Sequence, residues 1–218
     1  MQAVPARVRV RMVSMASSAL QPGLTHVVVS GGTPGEWRDM SVGQWEERLR
    51  AVARAAAAEG AHWVTLLPRR GPSLPEIDAA GLHDVLRAVP RMTEVAVSHG
   101  TRYVWKKDQS LSVIVETSAD GHARFAATVE GLRLRGVDPD ELDEEEVSRA
   151  VLAPADDEPD LVVVLGPAHT IPESMVWELA YSELVFIDLE WGMFESSHLE
   201  LAIDDFNRRH RRFGGLDS

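Results

Sequence analysis

Short unbroken apolar runs punctuate this chain. They occur at residues 26–30 (HVVVS), 62–67 (HWVTLL) and 159–166 (PDLVVVLG). Continuous runs of this length predict strands of a parallel sheet, buried on both faces. Between the first two, Val42, Trp45, Leu49, Val52, Ala53 and Ala56 recur three and four residues apart, as on one face of a helix. Gly60 ends that helix. Strand, helix and strand at this spacing predict a βαβ unit of the usual right-handed sense.

Residues 68–75 form a Pro/Gly/Arg loop, and 76–89 follow as a helix with Ile77, Leu82, Val85 and Leu86 inward. Residues 101–105 and 111–115 predict further strands, joined by a turn at 106–109. Residues 123–134 predict a helix that stops near Gly136. Asp138 then offers an N-cap and Pro139 a first helical position, so the next helix is expected to open there. The acidic run at 143–146 fits the solvated, dipole-favoured start of a helix better than a metal site. Beyond 159–166 the sequence predicts a loop and then a helix in the 175–191 stretch. A last helix is expected over 197–213, with Leu199, Ile203, Phe206 and Phe213 on one face. Asp204 and Asp205 precede Arg208 and Arg209 by four residues. Such pairs stabilise a helix by about 0.2–0.5 kcal/mol each, and the arginines crowd the end where the dipole favours cations.

These elements predict an α/β fold with a mostly parallel central sheet flanked by helices. Residues 1–25 are expected to be an N-terminal arm or helix, and 26–218 a single domain. Thirty-four acidic against 22 basic residues give a net charge of -12, which argues against a broad nucleic-acid-binding surface. Without Cys there is no disulfide, thiolate nucleophile or Cys-based zinc site. No apolar run approaches the roughly 20 residues of a membrane span, and residues 1–20 lack a signal-peptide core. A cytoplasmic location is the expectation.

From the residues alone, Gly31-Gly32-Thr33-Pro34-Gly35 after a strand is a weak candidate phosphate loop, because Pro34 removes a donor and no Lys-Ser/Thr pair follows. Ser30 sits in no G-x-S-x-G elbow. His62, His83, His99, His122, His169, His198 and His210 show no metal-ligand spacing. Trp45, Trp63, Trp177 and Trp191 suit a core or an interface better than a stacking platform.

Three stretches carry a resemblance. Trp177-Glu178-Leu179-Ala180-Tyr181-Ser182-Glu183-Leu184, the trio Phe186, Asp188 and Trp191, and Arg211-Arg212-Phe213-Gly214-Gly215 resemble the C-terminal third of the cis-prenyltransferases, the undecaprenyl diphosphate synthase family. His26, Val27 and Trp37 match its first motif, H-V-A-I-I-M-D-G-N-x-R-W. The catalytic half of the pattern is missing. The family Asp that handles magnesium and allylic diphosphate falls on Gly32, its Asn on Pro34 and a diphosphate-binding Arg on Glu36. A hydrogen atom cannot hold Mg²⁺. The motif F-S-x-E-N-W-x-R-P is replaced by Pro68-Arg69-Arg70-Gly71-Pro72, and N-Y-G-G-R has no counterpart after residue 115. Two arginines and a serine for isopentenyl diphosphate fall on Val164, Thr170 and Pro172. Each lost charge-assisted bond removes roughly 1.5–3 kcal/mol.

The resemblance implies no catalytic residue in this chain, a weak magnesium ligand in Glu183, and interface roles for Trp177, Tyr181, Phe186 and Trp191. It further implies that Arg212 and Gly214 form an R-x-G tail contacting diphosphate in a partner's site, with Mg²⁺ held mainly by that partner. This pattern resembles the non-catalytic subunits of heteromeric cis-prenyltransferases, of which the Nogo-B receptor is the eukaryotic example. The expected partner is a catalytic homologue in a heterodimer, or a second copy, with isoprenyl diphosphates as ligands. The alternative is a divergent homodimeric prenyltransferase using Glu183, Arg212 and Arg69 or Arg70. A structural homodimer with a decayed site is the third reading. Product length and partner identity do not follow from the sequence. The relic cleft is expected between residues 31–35 and 166–172.

Overall fold

The computed structural model describes residues 10–14, 23–71, 74–106, 108, 110–140, 142–167, 170–180 and 182–213, with the backbone alone at 10–14, 76–77 and 210–213. Eight strands form one sheet: β1 (Val10–Ser14), β2 (His26–Ser30), β3 (Trp63–Leu67), β4 (Met92–Val97), β5 (Gly100–Lys106), β6 (Ser112–Val115), β7 (Leu161–Leu165) and β8 (Glu183–Ile187). Their order is β1-β8-β7-β2-β3-β6-β5-β4. The five central strands, β8 to β6 in that order, are parallel; β1 pairs antiparallel with β8 on one side, and on the other β5 pairs antiparallel with β6 and β4 antiparallel with β5. Six α-helices accompany the sheet: α1 (Pro34–Arg38), α2 (Val42–Ala58), α3 (Glu76–Ala88), α4 (Gly121–Leu134), α5 (Glu144–Leu152) and α6 (Ser196–Phe213). The expected α/β class and mostly parallel sheet are what the chain forms.

The helices begin where the sequence offers caps. Ser41 and Gln44 make a reciprocal capping box at α2, and Thr33 and Glu36 make another at α1. Asp120 and Asp143 cap α4 and α5. Three expectations are corrected. Asp138 does not open a helix; its side chain accepts from the Asp140 N–H in a turn, and α5 starts later, behind Asp143. Residues 174–180 are turns, and the expected helix there gives way to β8. The run 183–187 is β-branched and aromatic, and it finds an open edge of β7. The hairpin strand β4 was not expected, and residues 10–14, inside the segment expected as an arm or helix, form β1 on the edge of β8.

Side-chain alternation gives the sheet two faces of different chemistry. The first face, with Val27, Val29, Leu66, Val113, Val163, Leu165 and Ile187, is apolar and packs with Trp37, Trp45 and Leu49 and with Leu199, Ile203 and Phe206 of α6. The second face carries the apolar residues Val28, Leu67, Val162, Val164 and Phe186. By the same alternation it also holds the buried polar residues His26, Ser30, Thr65, Arg102 and Glu116. β2 lies between β3 and β7, which continue the chain in opposite directions across the sheet. That makes β2 the topological switch point, where open α/β sheets form ligand crevices at the strand C-termini.

Candidate functional site at the carboxyl edge of the sheet

The loops after β2, β3 and β7 meet at the switch point. Gly31 N–H donates to Leu67 O at 3.0 Å, and Arg69 N–H donates to Gly32 O at 2.8 Å, so the β2 and β3 loops are tied together. The crevice expected between residues 31–35 and 166–172 is closed from both faces of the sheet.

On the first face the plug is aromatic. Trp191 stands 5.5 Å from Trp37, and Trp37 meets Trp45 edge-on at 5.3 Å. Trp37 Nε1 donates to Gly31 O. A Cβ on Gly31 would lie 2.7 Å from Leu165 Cδ1 and 2.8 Å from Trp191 Cε3. Gly32 has φ +73, and a Cβ there would lie 2.9 Å from both Trp191 Cγ and Trp37 Nε1. Arg48 covers the outside of the plug, with its guanidinium carbon 4.3 Å from the Trp191 ring centroid and Nη1 donating to Trp191 O. Burial among these rings pushes the Arg48 guanidinium down to about 10.

On the second face the occupant is Arg69. It is 5% exposed. Its Nη2 reaches Pro167 O and Thr170 O, both at a long 3.4 Å. A Cβ on Gly166 would lie 3.0 Å from Arg69 Nη1, so glycine, at φ +112, makes room for the guanidinium. Burial, with Arg70 beside it, lowers the Arg69 pKa.

Further along the second face lies a buried charge network. Glu116 accepts from Arg102 Nε and His99 Nε2, each at 2.9 Å. Arg102 Nη1 also donates to Ala153 O. Arg124 on α4 binds Glu178 at 2.5 Å and Ser174 O at 2.8 Å. Burial alone would raise the Glu116 carboxyl, but the His99 hydrogen bond and the charges of Arg102 and Arg124 bring it down to about 2. Sequence reading missed this network. Its one legible signal was Glu116, an acid directly behind an apolar strand.

Among the described residues, Glu183 and Gly32 are not brought together. Glu183 opens β8 opposite Leu161, so it lies at the amino edge of the parallel strands, away from Gly32 and Gly166 at the carboxyl edge. Glu36 is spent locally, its carboxylate accepting from the Thr33 N–H at 2.8 Å and hydroxyl at 3.0 Å. Magnesium takes oxygen ligands in near-octahedral geometry. Gly32 offers none, and no group of three His, Asp or Glu able to hold a metal occurs among the described residues. The carboxyl edge therefore does not fit Mg²⁺.

Of the residues expected at an interface, Phe186 and Trp191 are each 3% exposed and pack inside this chain. Strand alternation turns Phe186 inward, and Trp191 fills the space that Gly31 and Gly32 leave. Trp177 is half-buried and stacks on Phe125 at 5.5 Å. Tyr181 and Gly214 lie outside the described residues, as does the side chain of Arg212. No helix among the described residues is long and apolar enough to cross a membrane.

The family model described as putative undecaprenyl diphosphate synthase matches residues 80–214, well over half of the 218 residues. Its range starts behind the loops that hold Gly32 and Arg69. Isoprenyl transferase 2 of Bradyrhizobium diazoefficiens is 40% identical over 79 residues, 36% of this chain and 31% of that protein. A ditrans,polycis-undecaprenyl-diphosphate synthase of Pseudomonas aeruginosa is 31% identical over 140 residues, 63% of this chain and 53% of that protein. The matches therefore span about half or less of these relatives' lengths. Among solved structures, a probable undecaprenyl diphosphate synthase from Campylobacter jejuni superposes with TM-score 0.56 at 15% identity, over 89% of this chain and 100% of that one. Lavandulyl diphosphate synthase from Lavandula x intermedia, in complex with dimethylallyl diphosphate, gives TM-score 0.53 at 13% identity over 84% and 94%. At these identities the two structures speak to the fold alone.

Proposed function

This chain belongs to the undecaprenyl diphosphate synthase family, and from that premise we propose that it is a non-catalytic subunit of a heterodimeric cis-prenyltransferase. The observation that carries this reading is Gly32. It occupies the position of the magnesium-binding acid, and Trp37 and Trp191 leave no space there for a side chain. A carboxylate cannot be regained at this position without moving two tryptophans. The crevice on that face is packed like a protein core, which leaves no volume for an isoprenyl chain.

In this reading the chain's contribution to chemistry comes from outside its own crevice. Arg212 and Gly214 supply the R-x-G tail to the diphosphate of isopentenyl diphosphate in a catalytic partner, and that partner holds Mg²⁺. An arginine placed there binds diphosphate through charge-assisted, bidentate hydrogen bonds. Trp177 and Tyr181 belong to the docking surface, whereas Phe186 and Trp191 are packed inside this chain. Glu183 sits at the amino edge of the parallel strands, away from the crevice.

The test is prenyl transfer from labelled isopentenyl diphosphate to farnesyl diphosphate. The chain alone, a catalytic homologue alone, and the two together are compared. No product from the chain alone, and more from the mixture than from the homologue, is the expected result. Arg212→Ala should then lower the mixture's activity at least tenfold while the two chains still co-elute. Product from the chain alone would restore the alternative, a divergent homodimeric prenyltransferase.

A further inference from the structure

At one end the sheet stops in a strand with an open side. β4 is last in the order, and no strand among the described residues pairs with its outer edge. It joins β5 through the two-residue turn Ser98-His99, with Val97 opposite Gly100. Such a hairpin closes on a hydrogen-bonded pair, and these pairs alternate along an antiparallel ladder. The N–H and C=O groups of Glu94 and Ala96 therefore point away from β5. Exposed edges are usually blunted by Lys, Pro or a bulge. β4 has none of these: it reads MTEVAV, in unbroken register with β5. Its one charge, Glu94, is held inward by Arg87 at 2.7 Å and the Tyr103 hydroxyl at 3.1 Å.

A groove of about 510 Å³ adjoins this edge. Val97, Leu132 and Ala150 give it apolar walls, and Arg135, Arg149 and Glu146 give it charge. Val97 pairs with Gly100 and Val95 with Arg102, so these two valines share the second face of the sheet, where α4 and α5 pack. The groove is fixed in advance. His99 holds the hairpin turn through Glu116 at 2.9 Å and Thr128 Oγ1 at 3.1 Å. Gly131 of α4 approaches the same turn so closely that a Cβ there would lie 2.8 Å from Ser98 Cβ. Arg102 Nη1 donates to Ala153 O behind α5. A rigid groove lowers the ordering cost of binding. Arg149 is shared with Glu145 at 2.7 Å. Arg135 donates to Ser98 Oγ at 2.7 Å and meets no carboxylate among the described residues. In a chain of net charge -12, this groove is lined by two guanidinium groups against one carboxylate.

We propose that the β4 edge and this groove dock an extended, acidic segment of a partner protein, added to the sheet as a further strand. The backbone groups of Glu94 and Ala96 supply the hydrogen bonds of strand addition, and the groove reads side chains on one face. Residues two apart share a face. The segment therefore carries an apolar residue, which lies on Val97, Leu132 and Ala150, and an Asp or Glu two positions away, which meets Arg135. A second copy of this chain does not fit. In an antiparallel two-fold pairing its β4 would present Thr93, Val95 and Val97 on this face, with no acid for Arg135, and it would bring a second charge of -12. β4 lies at the other end of the sheet from β8, so the site stands or falls separately from the subunit role.

The experiment uses the whole chain alone and a fluorescein-labelled peptide, Thr-Val-Thr-Asp-Thr-Val, amidated at its C-terminus. A second peptide carries Lys in place of Asp. Fluorescence polarisation should show saturable binding of the acidic peptide. The Lys peptide should bind about tenfold more weakly, the worth of one charge-assisted hydrogen bond. Arg135→Glu should reverse that preference. Ala96→Pro removes an outward N–H, a place where an edge strand accepts proline. It should abolish binding of both peptides with little change in melting temperature. Should that variant not fold, hydrogen exchange followed by NMR on the wild type replaces it, with the Glu94 and Ala96 amides slowed by the acidic peptide. No saturable binding at millimolar peptide, a preference unmoved by Arg135→Glu, or unslowed Glu94 and Ala96 amides overturns the proposal. So does self-association of the chain that Ala96→Pro abolishes, because the edge would then belong to a second copy.

Discussion

Arg124 Nη2 meets Glu178 Oε1 at 2.5 Å, with both side chains 2% exposed. This pair fastens the turns before β8 to α4. The approach is close enough that a Cβ on Gly121 would lie 2.7 Å from Ser174 O. Removing one partner of a buried pair leaves the other charge uncompensated and costs about 3–5 kcal/mol. Glu178→Leu and Arg124→Met should each lower unfolding free energy by that order, measured by urea denaturation. The double variant should lose clearly less than the sum, because no charge is left stranded.

Acid should destabilise the fold in two windows. His26 is fully buried between Asp157 O at 2.8 Å and Thr65 Oγ1 at 2.9 Å, and burial lowers its pKa from 6.5 to about 4. Below pH 6.5 the unfolded chain takes up this proton first. Stability is therefore complete above 6.5 and is lost as pH falls towards 4, by about 3 kcal/mol. Glu116, lowered from 4.5 to about 2, adds a loss of the same sign between those values. His26→Asn should remove the slope of unfolding free energy between pH 6.5 and 4, and leave the lower window.

Gly32→Asp puts back the acid that the family resemblance expects. At φ +73 a side chain is strained by about 1–3 kcal/mol, and forcing atoms into a packed core costs about 1–3 more. The tryptophans 2.9 Å from its Cβ decide the outcome. The variant should unfold at lower denaturant and gain no transfer activity. Activity in Gly32→Asp alone would contradict the packing argument.

Asp160 accepts from Thr25 N–H at 2.7 Å, Thr25 Oγ1 at 2.8 Å and His26 N–H at 3.0 Å. It closes the amino ends of β2 and β7, remote from the carboxyl edge. Asp160→Ala strands three donors, and each unsatisfied buried group costs about 1–3 kcal/mol. Calorimetry should show a marked loss of melting temperature.

Local pattern determined much of this protein. The apolar runs gave β2, β3 and β7, and the three-and-four spacing gave α2 and the face of α6. The residues around Gly32 already excluded an ordinary metal site, because an absent carboxylate is visible without coordinates. What local pattern leaves open is pairing. Residues 183–187 form a strand because β7 offers an edge, and β4 forms because β5 folds back on it. Capping chose Asp143 over Asp138, a contest between two equally good local signals. The tryptophan plug unites residues 37 and 191, and the ion pairs unite 116 with 99 and 102, and 124 with 178. No spacing rule connects such positions. Arg69 is the sharpest case: in sequence it is one of two adjacent loop arginines, and only the close approach of Gly166 makes it a buried charge.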